Sequence, residues 1–215
     1  MHYDKNFREL DQKEVIAIHL DRGGPSFTTD FLIESTLGVI LRETRHCINF
    51  NNANKIMPSL GSFALLDQVG NSYYRSGEKP YQEAAQDAKA NDSAIKKALY
   101  YFGGFGANDA ATKSIYAFRN ALVHNASLKN EWKGVHHCFR HDSSVSSVVV
   151  PAAQPWNGQM DTLDDNTITL VNPTRLVELV TKMVDTLNEC LETGTLKTEL
   201  TISDLVGNYL LLIRR

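Results

Sequence analysis

Apolar positions along this chain fall into blocks with two different periods, and the polar breaks between blocks predict where elements start and stop. From Phe31 through Leu32, Thr36, Leu37, Ile40 and Leu41 to Arg45 the spacing is helical, which predicts a first long amphipathic helix. Ser26, Thr28, Thr29 and Asp30 precede it as candidate caps, and the asparagines of NFNNANK at 49–55 suit a turn after it. Pro58-Ser59 opens a second helix, Leu60 to about Tyr74, with Phe63, Leu66, Val69 and Tyr73 on one face. Gly61 and Gly70 each weaken that helix by about 1 kcal/mol relative to alanine, so packing must hold it, and each lets a neighbour approach closely. The polar stretch 75–91, with Gly77 and Pro80, reads as a loop that could carry a short helix. Ser93 is the expected cap of a third helix, Ala94–Phe102, whose Ile95, Leu99 and Phe102 form its buried stripe.

The other blocks divide between helix and strand. Asp109–Leu128 is helical, entered through Gly103-Gly104-Phe105-Gly106 with Asn108 or Asp109 as its cap. That glycine run lacks the Lys-Ser/Thr ending and the preceding strand of a P-loop, so it is read as a helix C-cap and turn. Asn172-Pro173 starts a long helix with a broad apolar stripe, Leu176 to Leu191, that Gly194 stops. Leu205–Ile213 is expected to be a closing helix. Val135–Arg140, Ser146–Val150 and Thr167–Val171 have β-like composition and predict a small β insertion at about 131–171. Glu14–Leu20, rich in β-branched residues, predicts a strand with His19 half-exposed, and Met1–Gln12 reads as a mobile lead-in. Together these blocks predict one mainly α domain over 1–215 with a β insertion.

The chemistry concentrates in the 109–128 helix, DAATKSIYAFRNALVHNASL. At about 100° per residue, Phe118, Leu122, Ile115 and Ala111 share one side, widened by Val123 and Tyr116, and Arg119 projects into that apolar arc. A cation there is costly unless it is paired or wetted. The opposite side carries Asn120 and His124, spaced i, i+4, beside Ala117 and Ala121, small enough to let another helix dock. The segment RNALVHN resembles the R-x4-6-H signature of HEPN domains, in which a polar residue often follows the arginine. The resemblance implies an antiparallel helical bundle that forms a homodimer through the 109–128 helix, so that two signatures share one cleft. It also implies a metal-independent endoribonuclease acting on RNA, with Arg119 contacting phosphate, Asn120 positioning and His124 as the catalytic imidazole. A toxin restrained by an antitoxin protein is one version of this reading. The competing one is a HEPN-like interaction or ligand-binding module without turnover, in which Arg119 and His124 are structural.

Composition narrows the field. The 215 residues are 42% hydrophobic and 22% charged, as in an ordinary globular chain. No run reaches the roughly 18 apolar residues of a membrane span, and the polar N-terminus does not read as a secretory signal, so the expected location is cytoplasmic, with no membrane partner. Cys47, Cys138 and Cys190 are odd in number and far apart, which speaks against a disulfide framework. A net charge of −3 provides no global basic field for nucleic acid, so any RNA contact must be local. His136, His137, Cys138 and His141 form the one cluster with metal-ligand residue types, but no second ligand pair lies at zinc spacing. Histidines facing solvent or substrate on a strand are the preferred reading, and no metal or cofactor is expected.

Overall fold

The computed structural model describes residues 1–50, 56–86, 93–132 and 134–215. It is mainly helical, with one hydrophobic core that draws on most of the helices and on Phe139, Val149 and Val171 from a sheet. The helices are α1 Gln12–His19, α2 Thr36–Phe50, α3 Ile56–Ser72, α4 Tyr81–Ala84, α5 Ala94–Phe102, α6 Ala110–Arg119, α7 Pro173–Glu192 and α8 Ile202–Tyr209. No helix among the described residues is long and apolar enough to cross a membrane. The asparagine-rich turn expected at 49–55 and the end of the 75–91 loop fall largely on 51–55 and 87–92, outside the described residues.

Helix α3 is the axis of the bundle. Its residues Phe63, Leu65, Leu66 and Val69 are at most 2% exposed, and both of its glycines are contact points, as glycine within a helix suggested. A Cβ on Gly61 would lie 2.0 Å from Thr44 Oγ1, and one on Gly70 would lie 1.7 Å from the carbonyl oxygen of Ala94 at the start of α5. The glycines therefore set how closely α2 and α5 approach α3. Helix α7 begins as its sequence predicted, with Asn172 accepting from the amides of Thr174 and Arg175 and Pro173 in the first turn.

The β insertion forms a four-stranded sheet from β4 Lys129–Trp132, β5 Val135–His141, β6 Val149–Val150 and β7 Ile168–Val171, in the order β4-β5-β7-β6. β5 and β7 run parallel and the outer pairs antiparallel. Phe118 on α6 meets Phe139 and His141 of β5, with ring centroids 5.1 and 5.8 Å away, so the sheet rests on the helix that carries the candidate chemistry.

Several expectations near the termini are corrected. Glu14–Leu20 lies in helix α1 rather than a strand. Asp11 caps it, accepting from the amide of Glu14 while the Glu14 carboxylate accepts from Asp11, and this capping box together with burial of Val15, Ile16 and Ile18 overrides β-branched propensity. Met1–Gln12 is tied down, because Tyr3 N–H donates to Phe27 O and Lys5 pairs with Glu14 at 2.6 Å. Phe31–Ser35 is strand β2, not the first turns of a helix, and the closing helix ends at Tyr209, with Leu210–Arg214 forming a further strand. These two strands pair antiparallel, Leu32 opposite Ile213 and Glu34 opposite Leu211. Ser93 and Asp109 stand at the N-cap positions of α5 and α6 but make no side-chain cap bond.

His19 is also corrected: it is fully buried on α1. Gln68 Nε2 donates to Thr36 Oγ1 and to His19 Nε2, so the imidazole Nδ1–H is left to donate to Tyr73 Oη at 2.6 Å. The ring stacks on Tyr209 at 4.9 Å. Burial pushes its pKa down to about 3, and a second ring proton would meet the Gln68 N–H2 group. A neutral imidazole thus joins α1, α3 and α8.

Candidate active site

The route into α6 is fixed locally. Gly103 N–H donates to the carbonyls of Ala98 and Leu99, and Gly104 takes φ +75°, the left-handed position that its lack of a side chain permits. The Asp109 carboxylate accepts from Gly106 N–H at 2.6 Å, and Thr112 Oγ1 donates to Gly106 O at 3.0 Å. This corner aims α6 so that Phe118 packs edge-on against Phe63 of α3, centroids 5.5 Å apart. The next residue, Arg119, then emerges at the margin of the core.

At Arg119 the helix changes gauge. Asn120–His124 is a π-helical turn. In a regular α-helix a residue five positions on lies about 140° around the axis, which would leave Arg119 and His124 on different faces. The wider π turn returns the fifth residue to nearly the same side. Arg119 Nη1 accordingly donates to His124 Nε2, and it also donates to Asn120 Oδ1 at 3.3 Å. The sequence put all three within less than half of the helix circumference; the structure brings them into direct contact.

The arginine has the partner that its position demanded. Arg119 Nη2 donates to Asp67 Oδ2 of α3 at 3.0 Å, with side-chain exposures of 19% and 33%. Sequence reasoning did not find Asp67. A signal was present, because Asp67 is the one charged residue in α3, IMPSLGSFALLDQVGNS, as Arg119 is the one cation in its apolar arc. Arg119 Nε is buried and has no acceptor among the described residues. Since the guanidinium donates into Nε2 of His124, that nitrogen presents its lone pair, the form in which an imidazole acts as a base.

Solvent access differs across the turn. His124 and Asn125 are exposed, and Val123, expected in the apolar arc, is 43% exposed. Ala117 and Ala121, expected on a docking face, are 6% and 0% exposed and belong to this chain's own core. The exposed residues of the turn are instead Val123, His124 and Asn125. Clefts of about 510, 330 and 190 Å³ elsewhere are lined by other residues, and of the Arg119–His124 pair the imidazole is the exposed member.

The histidines of the β insertion are separate from this group. His136 sits 3.8 Å from the Glu131 carboxylate, and His137, stacked on Phe139, has its pKa lowered by burial and by neighbouring His136. Among the described residues no group of three His, Cys, Asp or Glu side chains is placed to hold a metal ion. No family model, curated protein or solved structure matches this chain, so the reading of the site rests on its own geometry.

Proposed function

We propose that this chain is a metal-independent endoribonuclease of the HEPN kind, working as a homodimer in which two copies of the Arg119-Asn120-His124 turn share one groove. The single observation that supports it most is the π turn. It costs helix regularity, it joins guanidinium and imidazole at a solvent-facing position, and such turns occur frequently at functional sites. In the proposed reaction His124 Nε2 takes the proton of a ribose 2′-hydroxyl, and the 2′-oxygen attacks the adjacent phosphorus. Arg119 exchanges its His124 contact for a phosphoryl oxygen and offsets the charge that grows there. The 5′-oxygen leaves with a proton from the second imidazole, and a 2′,3′-cyclic phosphate remains. Asp67 holds the guanidinium in place, and Asn120 Oδ1 limits its rotation. A toxin, defence or stress role fits a nuclease with so small a site.

A second reading is favoured by a specific observation. The Arg119 guanidinium is already engaged by Asp67, Asn120 and His124, as a structural arginine in a binding module would be. Incubation of purified protein with single-stranded RNA in chelator separates the two. The nuclease reading expects fragments with 2′,3′-cyclic phosphate ends, and intact RNA at high enzyme concentration would leave the binding module.

A further inference from the structure

A cleft of about 510 Å³ lies at the C-terminal end of α3, where the helix passes into strand β3 Tyr74–Arg75. Its volume is within the roughly 300–1,000 Å³ of small-molecule sites. Tyr74 and Tyr101 line it with ring centroids 6.5 Å apart, and Tyr100 and Tyr81 extend the aromatic cluster behind them. Arg75 and Lys97 supply cationic groups at the wall, and Glu78 and Glu199 supply carboxylates. Arg75 is exposed and has no ion-pair partner among the described residues. Ser72 is another lining residue. It is 2% exposed, and its hydroxyl has no hydrogen-bond partner among the described residues. A buried hydroxyl left in that state costs about 1–3 kcal/mol.

We propose that this cleft is a subsite for one nucleotide of single-stranded RNA. Its base stacks on the exposed Tyr74 ring, with Tyr101 tilted 56° beside it, its phosphate pairs with Arg75, and its ribose hydroxyls donate to a wall carboxylate. Two cations set against two carboxylates make the cleft nearly neutral, which suits a nucleoside unit with hydroxyl donors better than a bare phosphate. Aromatic platforms of this type bind bases with little sequence preference.

The proposal rests on the ribonuclease reading, and the fold connects the two places. Asn71 lines the cleft and stands i, i+4 from Asp67, one turn and about 6 Å along α3. On the neighbouring helices the Lys96 ammonium lies 4.4 Å from the ring centroid of Tyr116, one turn before Arg119. A strand seated in the cleft therefore has a polar and cationic path toward the Arg119 turn.

The test is fluorescence anisotropy with a fluorescein-labelled, unstructured single-stranded RNA in chelator, on a His124→Ala background that leaves the probe intact. Tyr74→Ala and Arg75→Ala are each expected to raise Kd about tenfold or more, while Tyr74→Phe, which keeps the ring, retains the affinity. The same RNA annealed to its complement is expected to bind more weakly, because its bases are withdrawn into the duplex. Equal Kd values for parent, Tyr74→Ala and Arg75→Ala overturn the subsite, as does absence of binding by the parent. Failure of the nuclease reading is separately visible: wild-type protein that never cleaves, yet loses RNA affinity through Tyr74→Ala, leaves the subsite standing.

Discussion

Acid should begin to destabilise this protein through His19 before its carboxylates titrate. The folded imidazole is fully buried, with a pKa near 3 against 6.5 for the free side chain. Below about pH 6.5 the unfolded chain therefore binds a proton that the folded chain refuses. The stability His19 contributes is complete above that pH, falls as pH drops, and is exhausted near pH 3. At 1.36 kcal/mol per unit, the loss is about 2 kcal/mol by about pH 5 and about 5 kcal/mol at the limit. His137, lowered by burial and by His136, acts in the same direction, so the informative quantity is a difference between proteins. Urea unfolding of wild type and His19→Gln, followed by circular dichroism between about pH 7.5 and 5, supplies it. Glutamine can accept from Gln68 and donate to Tyr73 but does not titrate, so the variant should lack the 2 kcal/mol of pH dependence. The same slope in both proteins would refute a neutral, buried imidazole. The consequence reaches the candidate site, because Gln68 adjoins Asp67 on α3.

Three further outcomes follow from the packing. Gly70→Ala puts a Cβ 1.7 Å from a backbone carbonyl oxygen and should cost about 3 kcal/mol or more, whereas Gly207→Ala, on exposed α8 with open space around it, should gain up to about 1 kcal/mol; thermal melts compare the two. Asp67→Asn keeps the shape but removes the negative charge that holds the guanidinium. For a pair exposed by 19% and 33% the stability cost should be about 1 kcal/mol or less, yet RNA cleavage should fall at least about tenfold through misplacement of Arg119; an unchanged rate removes Asp67 from the site. Arg119→Ala should abolish cleavage at a stability cost of about 1–2 kcal/mol, while a cost of 3–5 kcal/mol, as for a broken buried pair, would mark the arginine as structural.

How much was legible in the sequence depended on whether local rules or distant pairing decided the outcome. Helix α7 carries its own start signal in Asn172-Pro173 and its own stop in Gly194, and it forms as read. Gly61 and Gly70 advertised close approach because glycine inside a helix needs a reason, and the contacts with Thr44 and Ala94 supply it. Phe31–Ser35 and Leu210–Ile213 both read as helix for one cause: each becomes a strand by pairing with the other from the far end of the chain. Short apolar runs do not reveal which partner they will meet. At the candidate site the residue types and their grouping on less than half of the helix were visible, but the direct contact of Arg119 with His124 was not. Stepping at 100° per residue separates Arg119 from His124, and only the π turn rejoins them. Asp67 was hidden for a related reason, since its role comes from α3 lying beside that turn.

The measurement that bears most directly on the central claim is the single-turnover cleavage rate of single-stranded RNA in chelator, wild type against His124→Ala. His124 is exposed and its contacts are confined to the turn, so truncating it should leave the melting temperature nearly unchanged. The account predicts a rate lower by about 10²–10⁴-fold. A variant that cleaves as fast as wild type would contradict it.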